Sequence, residues 1–175
     1  MKKRILGVIG GSGIYDLPYL KEQSWVEVET PWGKPSDKIL QANYKDQKIL
    51  FLPRHGRNHT LGPSAVNYRA NIYALKSLGT TEILSFSACG SFKEEYKPGS
   101  FILIDQYIDN TRIRDRSFFD EKLIAHIPFS QPSCKRLEKS LVSSFKNIDI
   151  EVKRGGTYLA IEGPQFSTYA ESNLF

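Results

Sequence analysis

The stretch that most constrains the fold is a short apolar run followed at once by small and hydroxylated residues. Residues 81–84 (Thr-Glu-Ile-Leu) are bounded by turn residues and predict a buried strand, after which comes the segment 85–91 (Ser-Phe-Ser-Ala-Cys-Gly-Ser). Small residues and a glycine allow the backbone to turn sharply and to expose its N–H groups. Because open α/β sheets hold ligands beyond the carboxyl ends of their strands, this junction predicts a binding site on an α/β fold.

Two further segments have the composition of an anion site and also follow predicted strands. In residues 10–13 (Gly-Gly-Ser-Gly), the glycines can present several backbone N–H groups, and Ser12 would add a hydroxyl donor. Arg54 and His55 can bind a tetrahedral oxyanion through charge-assisted hydrogen bonds. We therefore expect these groups and Ser87 to converge on one anion, with phosphate as the leading candidate.

Each of these signals also has an ordinary structural explanation. The glycine segment lacks the spacing of a dinucleotide fingerprint and of a P-loop, so a plain turn is the commoner explanation for it. The position of Arg54 and His55 after a buried strand favours function over a surface turn. Ser87 and Ala88 are equally consistent with close packing where a sheet meets a helix.

A histidine pair raises the question of a metal site. His59 lies four residues after His55, a spacing that helical zinc ligands use. Gly56 argues against a helix between them, and no third ligand is evident. We therefore expect no metal.

Length and composition indicate one globular domain. The 175 residues are 40% hydrophobic and 25% charged, and no apolar run approaches the length of a membrane span. The two cysteines, Cys89 and Cys134, cannot form a disulfide framework, and the apolar N-terminus runs into glycines and Asp16, so we expect a cytoplasmic protein. The net charge of +5 favours anionic ligands, but the basic residues are scattered, which argues against nucleic acid.

Periodicity and turn residues predict alternating strands and helices. Strands are expected over residues 4–9, 25–28, 37–44, 48–52, 81–84, 100–108, 149–152 and 157–161. Helices are expected over 63–79 and 133–145, and a capping box formed by Thr168 and Glu171 predicts a third helix from Tyr169. This last helix reaches Phe175 in less than two turns, so we expect the domain to be incomplete at its C-terminus.

Five motifs, in order along the chain, carry a resemblance to a known family. They are residues 8–13 (Val-Ile-Gly-Gly-Ser-Gly), 53–57 (Pro-Arg-His-Gly-Arg), 66–72 (Val-Asn-Tyr-Arg-Ala-Asn-Ile), 87–91 (Ser-Ala-Cys-Gly-Ser) and 161–167 (Ile-Glu-Gly-Pro-Gln-Phe-Ser). With them the chain resembles the 5′-methylthioadenosine phosphorylases of the trimeric purine nucleoside phosphorylase family. The resemblance implies an α/β fold in which helices flank a mixed central β-sheet. Residues 1–175 would form a single domain that is the N-terminal portion of the family domain.

The resemblance also implies an activity, the phosphorolysis of S-methyl-5′-thioadenosine to adenine and 5-methylthioribose 1-phosphate in purine and methionine salvage. Such an enzyme is a pentosyltransferase that acts as a homotrimer. It needs no metal or organic cofactor, since inorganic phosphate is a co-substrate. S-methyl-5′-thioinosine and plain purine nucleosides are the alternative substrates.

Residue roles are carried over from the family by position. Phosphate binding is implied for Ser12, Arg54, His55, Ser87 and Ala88. Catalytic roles are implied for Arg54, His55 and Ser87. The nucleoside pocket would include Ala88, Cys89, Gly90, Phe166 and Ser167, with Ser167 at the position that affects purine preference. His126 would reach across the trimer interface toward the neighbour's 5′-substituent pocket.

The family continues beyond the length of this chain. Its further residues include a methionine–threonine pair at the ribose and phosphate, and an aspartate region that protonates or hydrogen-bonds the purine. Because residues 1–175 lack both, we expect a polypeptide of this length alone to show little or no phosphorolysis.

Two other functional classes stay open on the sequence. Cys89 lies between small residues at a strand end and could be a hydrolase nucleophile, although residues 87–91 lack the Gly-x-nucleophile-x-Gly spacing of an elbow. The chain could instead be a non-catalytic fragment that binds phosphate or another subunit. A Cys89→Ala variant separates the first class from a phosphorylase, and phosphate-dependent stabilisation without turnover would favour the second.

Overall fold

A computed structural model describes residues 4–11, 17–119, 123–148 and 150–175. The chain divides into two compact units, the N-terminal unit Met1–Cys89 and the C-terminal unit Gly90–Phe175. The single domain expected from the sequence stays a prediction.

A mixed five-stranded sheet forms the centre of the N-terminal unit, with strand order β2-β3-β4-β1-β5. Its strands are β1 (Leu6–Gly10), β2 (Lys21–Val26), β3 (Ile39–Tyr44), β4 (Gln47–Pro53) and β5 (Glu82–Ser85). β1 pairs in parallel with both β4 and β5, whereas β3 pairs antiparallel with β2 and β4. The hairpin predicted between β3 and β4 is confirmed, with Tyr44 opposite Gln47 at its turn.

Side chains on both faces of this sheet are buried, because successive residues of a strand point to opposite faces. On β4, Leu50 and Leu52 belong to one apolar cluster while Phe51 belongs to another. Ala74 and Leu75 of the first helix complete the cluster around Leu50. β1 and β4, two of the three inner strands of the sheet, are therefore packed on both faces.

The first helix, α1 (Tyr68–Ser77), begins later than the sequence predicted. Residues Pro63–Ala65 form only a short 3-10 helix, and Val66 is extended. Asn67 is the N-cap: its Oδ1 accepts from the Ala70 N–H at 3.1 Å, and its Nδ2 donates to the Trp32 carbonyl at 2.6 Å. The predicted end is confirmed, since Gly79 has a φ of +91° just past the helix.

The strand predicted at 81–84 is present as β5 but is not buried as expected. Residues 82–84 are half-buried and Ser85 is exposed. β5 stands at one end of the sheet order, and β1 is its neighbour among the described strands. An end strand is covered on fewer sides than a middle strand, which accounts for its exposure.

Within its described residues, the C-terminal unit contains two small pairs of parallel strands and two helices. β6 (Phe101–Leu103) pairs with β8 (Val152–Arg154), and β7 (Gln106–Asn110) pairs with β9 (Thr157–Ile161). The single strand predicted over 100–108 is thus divided in two. Asp105 explains the division, because its N–H donates to the Gly156 carbonyl at 3.1 Å and its Oδ1 accepts from the Gly156 N–H at 3.1 Å.

The predicted helices of this unit are confirmed as α2 (Lys135–Lys146) and α3 (Tyr169–Leu174). The capping box is present, since the Thr168 hydroxyl accepts from the Glu171 N–H and the Glu171 carboxylate accepts from the Thr168 N–H. None of the helices within the described ranges is long and apolar enough to cross a bilayer.

The Asn67 cap generates a stability prediction for the N-terminal unit. Asn67→Ala removes both the cap and the bond to Trp32, so we expect the free energy of unfolding to fall by about 1–2 kcal/mol. Trp25 and Trp32 are the two tryptophans of the chain and both lie in this unit, so urea denaturation followed by tryptophan fluorescence reports on it. Ser77→Ala, in the last turn of the same helix, is the control and should change little. An unchanged midpoint for Asn67→Ala would contradict the cap's role.

Candidate functional site

The three parallel strands of the N-terminal unit end at the same edge of the sheet. β1, β4 and β5 run in the same direction. Backbone hydrogen bonding to β1 continues one residue beyond the ends of β4 and β5. The Arg54 N–H donates to the Gly10 carbonyl at 2.8 Å, and the Phe86 N–H donates to the Ile9 carbonyl at 2.8 Å. The three segments predicted to hold an anion therefore leave the sheet side by side. Ser12, the predicted hydroxyl donor after β1, lies outside the described residues.

The Arg54 side chain joins the ends of β4 and β5. Its Nη1 donates to the Phe86 carbonyl at 3.0 Å, and its Nη2 donates to the Ser87 hydroxyl at 3.4 Å. Its Nε donates to Nε2 of His55 at 3.3 Å. One guanidinium thus brings together three of the residues that the sequence analysis nominated: Arg54, His55 and Ser87.

The hydrogen bonds of His55 define which ring nitrogen carries its proton. Nδ1 lies 2.8 Å from the Leu61 carbonyl oxygen, which can only accept, so Nδ1 carries the hydrogen. Nε2 is then the acceptor for the Arg54 Nε–H. The ring of His59 stacks on that of His55 with centroids 4.7 Å apart. In this arrangement Nε2 of His55, the acceptor nitrogen, faces the Arg54 guanidinium.

Arg54 and His55 lie in a tight turn and not in a helix. The Gly56 N–H donates to the Pro53 carbonyl at 3.1 Å, and the Leu61 N–H donates to the His55 carbonyl at 3.1 Å. Gly56 is buried with a φ of +76°, and a Cβ there would lie 3.2 Å from the Thr60 hydroxyl. Only glycine adopts this conformation without strain, which explains its place in the motif.

The turn is held from its other side by an ion pair. Both the backbone N–H and the Nε–H of Arg57 donate to Oδ2 of Asp37, at 2.8 and 3.0 Å. Burial opposes ionisation of Asp37, yet hydrogen bonds from Arg57 and the Lys38 N–H outweigh it and hold the pKa of this carboxyl below its usual value. The sequence analysis gave neither residue a role. The sequence around Asp37 does not indicate this ion pair, because its partner Arg57 lies 20 residues further along the chain.

Residues 87–89 follow β5 without regular secondary structure and are exposed. Cys89 is a free thiol. A cysteine hydrolase needs a base beside its nucleophile, and both ring nitrogens of His55 are already engaged with Leu61 and Arg54. His55 is therefore a poor candidate for activating Cys89.

The remaining nominated residues belong to the C-terminal unit. Gly90 and His126 are exposed, and Phe166 is 93% exposed. Ser167 is half-buried, with its hydroxyl 2.8 Å from that of Ser172 in α3. Their meeting with the anion residues in one site stays a prediction.

Glu162, which lies four residues before Phe166, forms an ion pair with Arg114 within the C-terminal unit. Glu162 accepts from the Arg112 N–H at 2.7 Å and from the Arg114 guanidinium at 3.4 Å. Arg114 also donates to the Glu162 carbonyl at 3.0 Å. The loop after β7 is thereby tied to the end of β9. Among the described residues, no group of three or more histidine, cysteine or acidic side chains is arranged to hold a metal ion.

Comparison with known families defines the class of protein. Residues 5–175 match the phosphorylase superfamily, so the chain belongs to that superfamily.

Within it, the chain is similar to S-methyl-5′-thioadenosine phosphorylases. It is 50% identical over 173 residues to the one from Cereibacter sphaeroides, covering 99% of this chain and 60% of the relative. It is 46% identical over 174 residues to the one from Saccharolobus solfataricus, covering 99% and 64%. The chain thus spans about 60% of the length of the first of these relatives.

Solved structures of methylthioadenosine phosphorylases are also similar to the chain. A methylthioadenosine phosphorylase from an Antarctic soil metagenomic library superposes with a TM-score of 0.93 at 42% identity, covering 99% of this chain and 62% of that one. The Schistosoma mansoni enzyme in complex with adenine superposes with a TM-score of 0.92 at 37% identity, covering 98% and 70%. These matches confirm the predicted nucleoside phosphorylase-like α/β fold.

The hydrogen bonds of His55 generate a prediction about its tautomer. Because Leu61 and Arg54 engage its two nitrogens in opposite senses, we expect the neutral ring to carry its hydrogen on Nδ1. Long-range ¹⁵N–¹H correlation spectra of the imidazole distinguish the two tautomers, with His126, which is exposed, as an internal comparison. A neutral His55 with its proton on Nε2 would contradict this hydrogen-bond arrangement.

Proposed function

We propose that the chain supplies the phosphate-binding part of a pentosyltransferase that cleaves S-methyl-5′-thioadenosine with inorganic phosphate. The products would be adenine and 5-methylthioribose 1-phosphate. The observation that carries this proposal is the Arg54 guanidinium, which links the ends of two parallel strands beside His55 and Ser87. The names of the similar proteins support the choice of nucleoside.

Arg54 and the segment after β5 would hold the anion. The guanidinium offers parallel donors that suit two oxygens of a tetrahedral anion, and Ser87 adds a hydroxyl. Backbone N–H groups of the exposed segment that includes Ala88 would complete the set, together with Ser12 after β1. On binding, the donors of Arg54 would exchange the Phe86 carbonyl and the Ser87 hydroxyl for phosphate oxygens.

His55 would favour the form of phosphate that still carries one P–OH group. With its hydrogen on Nδ1, the ring presents Nε2 as an acceptor. The hydrogenphosphate dianion has one P–OH group, which can donate to Nε2, whereas its other oxygens accept from Arg54. The site would thus match the dianion with one positive and one neutral side chain.

Catalysis would rest on placing this charge beneath the ribose. As the N-glycosidic bond breaks, its electron pair leaves with the purine and positive charge develops at the anomeric carbon. A dianion paired with one guanidinium keeps a net negative charge, which stabilises the developing cation. A phosphate oxygen then forms the new bond to that carbon, so that phosphate acts as co-substrate and positioning supplies much of the rate. The departing purine takes up one proton, for which the resemblance implies the family's aspartate region, and the new phosphate ester gives up its P–OH proton, so that the step balances.

The nucleoside side of the site comes from the resemblance. Phe166 would lie against the nucleoside, Ser167 would bear on purine preference, and Cys89 and Gly90 would line the pocket beside Ala88. S-methyl-5′-thioinosine and plain purine nucleosides are the alternative substrates.

Other parts of the proposal concern the assembly and its setting. His126, exposed in the C-terminal unit, would reach a neighbouring subunit's 5′-substituent pocket in a homotrimer. The enzyme would use no metal or organic cofactor and would serve purine and methionine salvage. The cysteine content favours a cytoplasmic location, and we expect neither nucleic acid nor membrane as a partner.

An Arg54→Lys variant tests the proposal, because lysine keeps the positive charge but loses the planar fork. We expect the affinity for inorganic phosphate, measured by isothermal titration calorimetry on residues 1–175, to fall at least about tenfold. Arg4→Lys, an exposed arginine of the same unit, is the matched control and should bind as the unaltered chain does. Equal affinities for Arg54→Lys and the unaltered chain would contradict the proposed phosphate site.

Turnover separates the phosphorylase from the two alternatives. Residues 1–175 alone should release little adenine from S-methyl-5′-thioadenosine. The same residues followed by the C-terminal portion of the Cereibacter sphaeroides relative should release it only with phosphate, and Cys89→Ala should keep that activity. Hydrolysis without phosphate that Cys89→Ala abolishes would favour the thiol hydrolase. Phosphate binding without turnover in the fused protein would favour a non-catalytic binding role.

A further inference from the structure

The turn that carries Arg54 and His55 is held in position just beyond Gly56, at Arg57. Arg57 donates twice to one carboxylate oxygen of Asp37, once from its backbone and once from its side chain. Its guanidinium also lies over the Trp25 ring, 4.3 Å from the ring centroid. Both the main chain and the side chain of Arg57 are therefore fixed in position.

Asp37 is in turn fixed to the helix that packs on the sheet. The neighbouring Ser36 N–H donates to Oδ1 of Asn71 at 2.8 Å, and Nδ2 of Asn71 donates to the Ser36 hydroxyl at 2.9 Å. Asn71 is only 3% exposed and lies in α1. The Asp37 side chain is 14% exposed, and its second oxygen accepts from the Lys38 N–H at 2.7 Å. The carboxylate is thus tied to the buried core.

These contacts place Arg54 and His55, the two proposed phosphate ligands, between two fixed positions of the main chain. On one side, Pro53 is the last residue of β4 and is paired with Gly10. On the other side, Arg57 is held by Asp37. Only three residues, Arg54, His55 and Gly56, lie between them. Little conformational freedom remains for a turn of that length.

We propose that Asp37 and Arg57 are positioning residues that set the phosphate affinity of the turn carrying Arg54 and His55. The proposal rests on the proposed function, since it assumes phosphate at that turn. Neither side chain would touch the anion. Arg57 is already bonded to Asp37 and covers Trp25, and the pair together adds no net charge.

The sign of a charge effect makes this role testable. Asp37→Asn keeps the shape of the side chain and removes one negative charge near an anion site. A purely Coulombic effect would therefore strengthen phosphate binding. Loss of the charge-assisted bonds to Arg57 would instead loosen the turn and weaken phosphate binding, by about tenfold for a displacement of a fraction of an ångström.

The experiment measures inorganic phosphate binding calorimetrically on residues 1–175. Glu27→Gln is the matched control, because Glu27 is an exposed carboxylate of the same unit, 3.3 Å from Lys38, and also loses one negative charge. We expect it to bind phosphate as well as the unaltered chain or slightly better. We expect Asp37→Asn to bind about tenfold more weakly and Asp37→Glu, which restores the charge, to recover part of that loss.

Arg57→Lys provides a second variant that leaves the net charge unchanged. Lysine keeps the backbone donor to Asp37 but carries a single ammonium in place of the planar guanidinium. It cannot cover Trp25 and bond Asp37 at the same time as Arg57 does, so we expect weaker phosphate binding again. It also keeps the test decisive if Asp37→Asn fails to fold, which tryptophan fluorescence would show. Phosphate affinity equal to or above that of the unaltered chain in the folded variants would overturn the positioning role alone. No phosphate binding by the unaltered chain would overturn the proposed function as well.

Discussion

A single guanidinium, that of Arg54, spans the ends of two strands, and the proposed phosphate site depends on it. Arg54 reaches the segment after β5 only because β1 lies between β4 and β5 and all three run parallel. Its three hydrogen bonds, at 3.0 to 3.4 Å, are made to neutral acceptors and are long for a charged donor. A dianion at this edge would offer better acceptors than a carbonyl, a hydroxyl and an imidazole. The proposed phosphate would therefore replace long contacts of Arg54 with charge-assisted hydrogen bonds.

The surrounding structure reduces the freedom of that guanidinium. Gly56 allows the backbone to turn back within a buried space, and Leu61 fixes the proton of His55. Asp37 and Arg57 hold the far side of the same turn. Because the main chain of this turn is already held, binding of the proposed phosphate would require only the side-chain hydrogen bonds of Arg54 to be exchanged. Preorganisation of this kind is a usual source of electrostatic stabilisation in enzyme sites.

Much of this edge could be predicted from the sequence because its signals are local. An apolar strand followed by Arg54 and His55, or by Ser87, can be recognised within a few residues. The errors arose where distant residues decide the outcome. α1 starts at Tyr68 because Asn67 bonds Trp32, and the strand expected over 100–108 is divided because Asp105 bonds Gly156. The bond from Arg57 to Asp37 follows only from the pairing of β3 with β4, so no local pattern could reveal it.

The most direct test of the central claim is a crystal structure of the chain grown with inorganic phosphate. We expect one phosphate at the shared edge of β1, β4 and β5, with oxygens about 2.7–3.0 Å from the Arg54 guanidinium and from the Ser87 hydroxyl. Nε2 of His55 should then face a phosphate oxygen in place of the Arg54 Nε. A phosphate bound elsewhere, with Arg54 still bonded to the Phe86 carbonyl and to Ser87, would contradict the account.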